Sequence, residues 1–182
     1  ICCGSGNFLL SAFEYIVNYH IEYYLNHNKD IAEQRGDIHQ LAGSSNYLLS
    51  YEKKRSILKN NIFGVDIDPL AVEVTFHQRT NHRILPNLDE NIKNGNSLVD
   101  MSYARFDRSV YQNIPLMNKL KMFDWNTEFG CRKFDAIIGN PPYIRVQNMV
   151  HYSREEYDFY KSNHSPYVTA QADTLDKYYL FI

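Results

Sequence analysis

Asn140-Pro141-Pro142-Tyr143 follows directly on an apolar segment, Phe134 to Gly139, "FDAIIG". Two prolines cannot extend a strand, because neither can donate a backbone hydrogen bond. Their chemical use is to aim acceptors. An amine attached to a conjugated ring or carbonyl has a delocalised lone pair and is a poor nucleophile. Acceptors on both of its N–H bonds favour pyramidal geometry and push electron density toward an electrophile. The Asn140 side-chain oxygen and the Pro141 carbonyl can supply that pair. Pro142 restricts Pro141 to extended conformations. Tyr143 can stack on the planar group and align it for in-line transfer. No covalent intermediate is needed. Attack through C5 of cytosine would need a cysteine after a proline, and Cys2, Cys3 and Cys131 do not provide one. The alternative is a strand-ending Pro-Pro turn with an incidental asparagine. From average residue usage this tetrapeptide arises by chance in about one chain per thousand of this size.

A second set of residues has the marks of a cofactor site. Cys3-Gly4-Ser5-Gly6 stands between a strand end and a helical pattern, where glycines let a ligand approach the backbone. There is no Gly-Lys-Ser/Thr run to cradle phosphates. The dinucleotide pattern G-x-G-x-x-G also fails, since Leu9 holds its third glycine position. Asp66 ends the next strand candidate, where a carboxylate can accept from both hydroxyls of a ribose. Ile67 can pack on a purine face. Asn96 and Ser97 end a third strand candidate, and the Asn96 carbonyl can accept from an adenine amine. Each has a plain alternative: a structural turn, a surface aspartate, a buried isoleucine, a turn asparagine. Taken in order they describe a site for an adenosine-containing cofactor. Glycines without phosphate chemistry favour S-adenosylmethionine over NAD.

The elements that must position these residues alternate. Apolar spacing of three to four predicts a helix over 7–25. Residues 28–44 are polar and read as a loop, and a second helix is expected over 45–60. "EKKRSILK", 52–59, reads as a solvated face of that helix. A short buried strand is expected over 61–67. Asp68 as N-cap and Pro69 at the first helical position then start a helix over 69–83. Another strand is expected within 91–100. Residues 102–132 give no clear period. "FDAIIG" reads as the clearest strand, and a final helix is expected from Thr174. Strands alternating with helices predict an α/β fold with a mostly parallel sheet and helices on both faces. In such sheets ligands bind at the carboxyl ends of strands, which is where every polar turn named above falls.

Composition mainly excludes. The 182 residues carry a formal net charge of -2 and a sequence pI near 6.4, less basic than a free-standing nucleic-acid binder. No apolar run approaches the roughly 20 residues needed to span a bilayer, and no secretory signal is visible. Three cysteines give neither a disulfide framework nor a metal-ligand spacing, so no metal is expected and a cytoplasmic, reducing compartment is. The seven histidines are scattered, and neither His77 nor His82 has a ligand set beside it. The chain opens without methionine on "ICCGSGNFLL" and stops within "DKYYLFI". It therefore reads as part of a longer protein.

"CGSGNFLL", "IFGVDIDPLAV", "NGNSL", "FDAIIGNPPYIR" and "DKYYLFI" resemble successive motifs of the amino-methylating class I methyltransferases. More narrowly they resemble adenine-specific (N6) DNA methyltransferases of restriction–modification and phage-defence systems. "FDWNTEF", 123–129, is similar to the methylase part of bifunctional type IIG enzymes. The resemblance implies a Rossmann-like class I methyltransferase fold and S-adenosylmethionine as cofactor. It implies double-stranded DNA as substrate, with a nuclease and a recognition subunit fused or separate. Residues 1–182 would be a partial catalytic domain, lacking an N-terminal helical part and a C-terminal target-recognition domain. Gly4, Ser5 and Gly6 would face the methionine moiety, Asp66 the ribose and Ile67 the adenine. Asn96 stands where many relatives have aspartate. Asn140 to Tyr143 would hold an adenine extruded from the duplex. Arg145 and Gln147 could touch the DNA backbone or the orphaned base. The same tetrapeptide serves enzymes acting on ribosomal RNA bases and on release-factor glutamine, and a scaffold binding DNA without catalysis is a further alternative.

Overall fold

The computed structural model describes residues 1–77, 88–167, 170 and 176–181, with no account of the side chains of 74–77. Helix α1, Asn7–His27, starts where Gly6 adopts φ 84° and occupies the span its period predicts. The polar segment expected as a loop instead holds a short helix α2, Lys29–Gln34, and a strand β1, Ile38–Gln40. Two apolar positions decide this. Ala32 and Ile38 are almost completely buried with Val17, Leu49 and Ile57. Strand β2, Tyr47–Leu49, pairs antiparallel with β1, placing Ile38 opposite Leu49. The second helix therefore starts later than expected. It is α3, Tyr51–Asn61, capped by Ser50, whose hydroxyl accepts from the Lys53 N–H. Its polar run is not wholly solvated, since Ile57 and Leu58 are buried.

Strand β3, Gly64–Asp66, runs parallel to β4, Ile92–Asn94, with Asp66 opposite Asn94. Between them lies α4, Pro69–His77, where Asp68 Oδ1 accepts the Leu70 N–H at 2.9 Å as its expected cap. The rest of that expected helix, with His82, lies outside the described residues. Asn91 ties the two strands to α3: its buried amide donates to the carbonyls of Lys59 at 2.9 Å and Ile62 at 2.8 Å. Those are orphan carbonyls of a helix end, which must find partners somewhere.

The stretch without a clear period resolves into short pieces: α5, Tyr103–Phe106; a 3-10 turn, Arg108–Gln112; α6, Ile114–Leu120; and α7, Trp125–Phe129. Asp124 caps α7 by accepting from Thr127 N–H, and Gly130 ends it at φ 65°. A 3-10 turn, Val146–His151, and helix α8, Arg154–Lys161, follow. Val99, Tyr103, Val110, Leu120, Val146, Met149, Phe159 and Tyr160 make the core of this half. Thr174 is outside the described residues, and a 3-10 turn covers Lys177–Phe181.

The expected mostly parallel sheet, its first and later strands incomplete, is represented among the described residues by the parallel pair β3–β4, beside the antiparallel pair β1–β2. One expectation is corrected: the segment 134–139 is not in a ladder. Ile137 is 71% and Ile138 49% exposed, whereas a parallel strand covered on both faces would bury them. Phe134 is drawn instead into an aromatic cluster with Phe63, Trp125 and Phe129. What the parallel arrangement retains is its order. The Ile1 amino group donates to Ile138 O at 3.2 Å, and the Cys3 N–H to Val65 O at 3.1 Å. The chain start thus lies between the 134–139 segment and β3, with β4 beyond.

Candidate active site

A cavity of about 390 Å³ opens at the carboxyl ends of β3 and β4, within the size range of small-molecule sites. Cys3, Gly4, Ser5, Asp66, Ile67, Asn96, Ser97, Asn140 and Pro142 all line it. Gly6, Pro141 and Tyr143, also singled out from the sequence, are not in its wall. Cys2, Asn7, Phe8, Lys177 and Phe181 are, and the sequence did not mark them individually. The resemblance of "DKYYLFI" to a family motif was the signal for Lys177 and Phe181. The resemblance of "CGSGNFLL" was the same kind of signal for Asn7 and Phe8.

Backbone geometry builds the first wall. Cys2, Gly4 and Gly6 all have positive φ, 49°, 52° and 84°, so the chain coils tightly before α1. A Cβ on Gly4 would meet no atom within 4 Å; its glycine is demanded by φ rather than by crowding. The turn is held from across the site. Asp66 Oδ2 accepts the Gly4 N–H at 2.7 Å, while Oδ1 accepts the Asp68 N–H at 2.9 Å. The Asp66 carbonyl takes two more donors, Gly95 N–H and Asn94 Nδ2, each at 2.9 Å. Asp66 is thereby fixed in both its side chain and its main chain. Ile67 follows with its side chain 43% exposed and its carbonyl held by Lys121 Nζ at 2.8 Å.

The second wall is Asn96-Ser97. Asn96 is buried; Oδ1 accepts from Leu98 N–H at 3.1 Å and its backbone carbonyl from Val99 N–H at 3.2 Å. Its Nδ2 is fully buried and lies toward the buried Tyr160 hydroxyl, away from solvent. Burial pushes the Cys3 thiol up to about 11, with the Asp66 charge adding to it, and both act on Cys2 in the same direction. Neither thiol is poised as a nucleophile.

The third wall joins the Asn-Pro-Pro-Tyr loop to the chain end. Asn140 is exposed, Pro141 buried, and the Ile144 N–H donates back to Pro142 O at 3.1 Å. The Lys177 N–H donates to Ile144 O at 2.7 Å, and Arg145 and Asp176 form an antiparallel bridge. Lys177 is buried and pairs with Glu156 at 2.9 Å; the same carboxylate accepts from Tyr160 OH at 2.9 Å and from Ser153 Oγ at 3.1 Å. No cluster of His, Cys, Asp or Glu among the described residues could hold a metal ion. No helix among them is long and apolar enough to cross a membrane.

Residues 60–182 match the family model described as Eco57I restriction-modification methylase. The chain is 32% identical over 196 residues to the type II restriction enzyme and methyltransferase RM.Eco57I of Escherichia coli; the match takes in all of this chain and 17% of that protein. It is 30% identical over 112 residues to a Methanocaldococcus jannaschii protein named for the same pair of activities, with 53% of this chain and 8% of that protein covered. The chain thus spans under a fifth of the length of either relative. No solved structure matches it. A cavity at the strand ends, an Asn-Pro-Pro-Tyr loop in its wall and a match over two thirds of the residues agree: the chain belongs to the Eco57I restriction-modification methylase family.

Proposed function

We propose that this chain is the catalytic part of a DNA methyltransferase that moves the methyl group of S-adenosylmethionine to the N6 amine of an adenine turned out of double-stranded DNA. The observation that carries the reading is the shared cavity: Gly4, Ser5, Asp66 and Ile67 face Asn140 and Pro142 across one space. S-adenosylmethionine, when bound, supplies an electrophilic methyl group on its sulfonium. The residues present suit it. The glycine turn offers a close backbone approach, Asp66 a carboxylate for ribose hydroxyls, the exposed Ile67 an apolar face for a purine, and Asn96 and Ser97 a polar wall beside it.

In this reading the fold is the Rossmann-like class I arrangement, whose strand order survives in the contacts of Ile1, Cys3, β3 and β4. Asn140 Oδ1 and Pro141 O accept from the two N–H bonds of the amine and orient its lone pair. Tyr143 covers one face of the base. A base in a stacked duplex cannot reach such acceptors, so extrusion is part of the mechanism. The names of both relatives join restriction enzyme with methyltransferase. They support a restriction–modification role in the cytoplasm, with a nuclease and a recognition module in the same or a partner chain.

The test uses the complete protein that contains this chain, incubated with radiolabelled S-adenosylmethionine and unmethylated genomic DNA. Label should appear in N6-methyladenine after digestion to nucleosides. Asn140→Ala should lower the rate by at least about 100-fold, the scale of losing one preorganised polar contact to the reacting group. Cofactor binding without label in DNA would reject adenine in DNA and direct the search to ribosomal RNA or release-factor glutamine.

A further inference from the structure

Lys121 ends α6 in the left-handed region, at φ 46° and ψ 48°, a conformation that glycine takes freely and a side chain resists. Gly130 ends α7 in the same way at φ 65°, and glycine is the common residue at such a position. What the lysine adds is reach. Its backbone carbonyl accepts the Asn96 N–H at 2.7 Å, and its Nζ donates to the Ile67 carbonyl at 2.8 Å. Ile67 belongs to the first wall of the cavity and Asn96 to the second, while Lys121 lines neither. The lysine is firmly planted. Its own N–H donates to Met117 O at 2.9 Å, Leu120 before it is buried in the core, and Met122 after it makes a parallel bridge to Asn96. Ile67 has less packing of its own, with its side chain 43% exposed.

We infer that Lys121 is a positioning residue for the adenosine end of the cofactor: by bonding both walls at once, it fixes Ile67 relative to Asn96 and Ser97. The inference rests on the proposed function and adds a residue to it. Ending a helix does not require an ammonium, and a lysine at positive φ carries strain that glycine would not. Such strain persists where the surrounding structure imposes it, and functional sites are where it collects. Here both tertiary bonds of the strained residue lead to the cavity walls. The two bonds can be separated by substitution. Lys121→Gly relaxes the backbone and keeps the carbonyl for Asn96, but loses the bond to Ile67. Lys121→Met keeps the strain and the length of the side chain, and also loses that bond. The variants therefore share one missing contact and differ in backbone strain.

The experiment compares wild type, Lys121→Gly and Lys121→Met in the complete protein that contains this chain. It measures the urea midpoint, equilibrium binding of S-adenosylmethionine and of 5′-methylthioadenosine, and methyl transfer to unmethylated genomic DNA. A hydrogen bond to a charged group, at the lower end of its range because this one lies at the surface, corresponds to about a tenfold change in an equilibrium constant. Both variants should bind S-adenosylmethionine about tenfold more weakly and raise its KM to match, with kcat at saturating cofactor within about twofold of wild type. Methylthioadenosine, which lacks the amino-acid part, should lose affinity by the same factor. The urea midpoints should part, the glycine variant at or above wild type and the methionine variant below it. Affinity that simply followed the urea midpoint would make Lys121 structural and overturn the inference. Wild-type affinity in both variants would overturn it and leave the functional reading standing, and an unchanged methylthioadenosine affinity would overturn its placement at the adenosine end. Wild-type protein that binds no S-adenosylmethionine would reject the functional reading, and the inference with it.

Discussion

Asp66 and Gly4, sixty-two residues apart in the chain, are joined by a 2.7 Å hydrogen bond from the Gly4 N–H to Asp66 Oδ2. The carboxylate at the end of β3 thus fixes the glycine turn ahead of α1, and through Oδ1 it also fixes the start of α4. A side chain whose sequence position suggested a ligand contact is structural as well. Replacing Asp66 by Ala removes two bonds to a charged acceptor, each of a kind worth about 1.5–3 kcal/mol. We expect a loss of at least about 2 kcal/mol in chemical denaturation, together with weaker S-adenosylmethionine binding. Asp66→Asn, with one oxygen left for two donors, should fall between. Unchanged stability in the alanine variant would show that the turn stands without its anchor.

Lys177 and Glu156 form a buried pair, with side chains 11% and 6% exposed. Removing one partner strands the other without water, which typically costs 3–5 kcal/mol. Ser153 and Tyr160 still donate to Glu156, so Lys177→Met should sit near the lower figure, about 3 kcal/mol. The double variant Lys177→Met with Glu156→Gln removes both charges and keeps an acceptor for Tyr160. Its loss should be smaller than that of Lys177→Met alone. A thermodynamic cycle by urea unfolding measures the coupling, and additive losses would refute it.

The cysteines should react in an order set by burial. Cys131 is exposed, Cys3 buried. With the Cys3 thiol raised to about 11 by burial, little thiolate exists at pH 8 and the nucleophilic form is scarce. Iodoacetamide followed by peptide mass spectrometry should therefore modify Cys131 at least about tenfold faster. The Cys3 rate should climb with each pH unit until about 11. Stability has a matching sign. An unfolded thiol ionises near about 8.5, so the stabilisation carried by the neutral folded thiol is present below that pH and is lost as pH rises toward about 11. Equal alkylation of Cys3 and Cys131 at pH 8 would contradict the buried placement.

Much of the site could be read in the chain because its parts are local. The Gly4-Ser5-Gly6 turn, the Asp68 cap and the Asn-Pro-Pro-Tyr loop each depend on φ preferences or capping chemistry within a few residues. Helix α1 declares itself by period over twenty-one residues. The errors fall where a distant partner decides. Residues 28–44 look like a loop until Ala32 and Ile38 find Val17, Leu49 and Ile57. Residues 134–139 look like a strand by composition, yet a strand exists only through its neighbours, and no strand among the described residues pairs with them.

The amino-acid sequence by itself determined which chemistries were on offer: acceptors aimed by prolines, a glycine turn, a carboxylate at a strand end, and a family membership that the matched residues carry. Those follow from residue type and short spacing. The tertiary structure alone decided that these pieces share one cavity, that Asp66 is bound to Gly4, and that Lys177 and Phe181 complete the wall. It also decided that Tyr143 faces Tyr178. The reason is the range of the forces involved. Turns and caps are set by bonds between near neighbours, whereas burial, ion pairing and ring stacking depend on which distant segments the folded chain brings within contact.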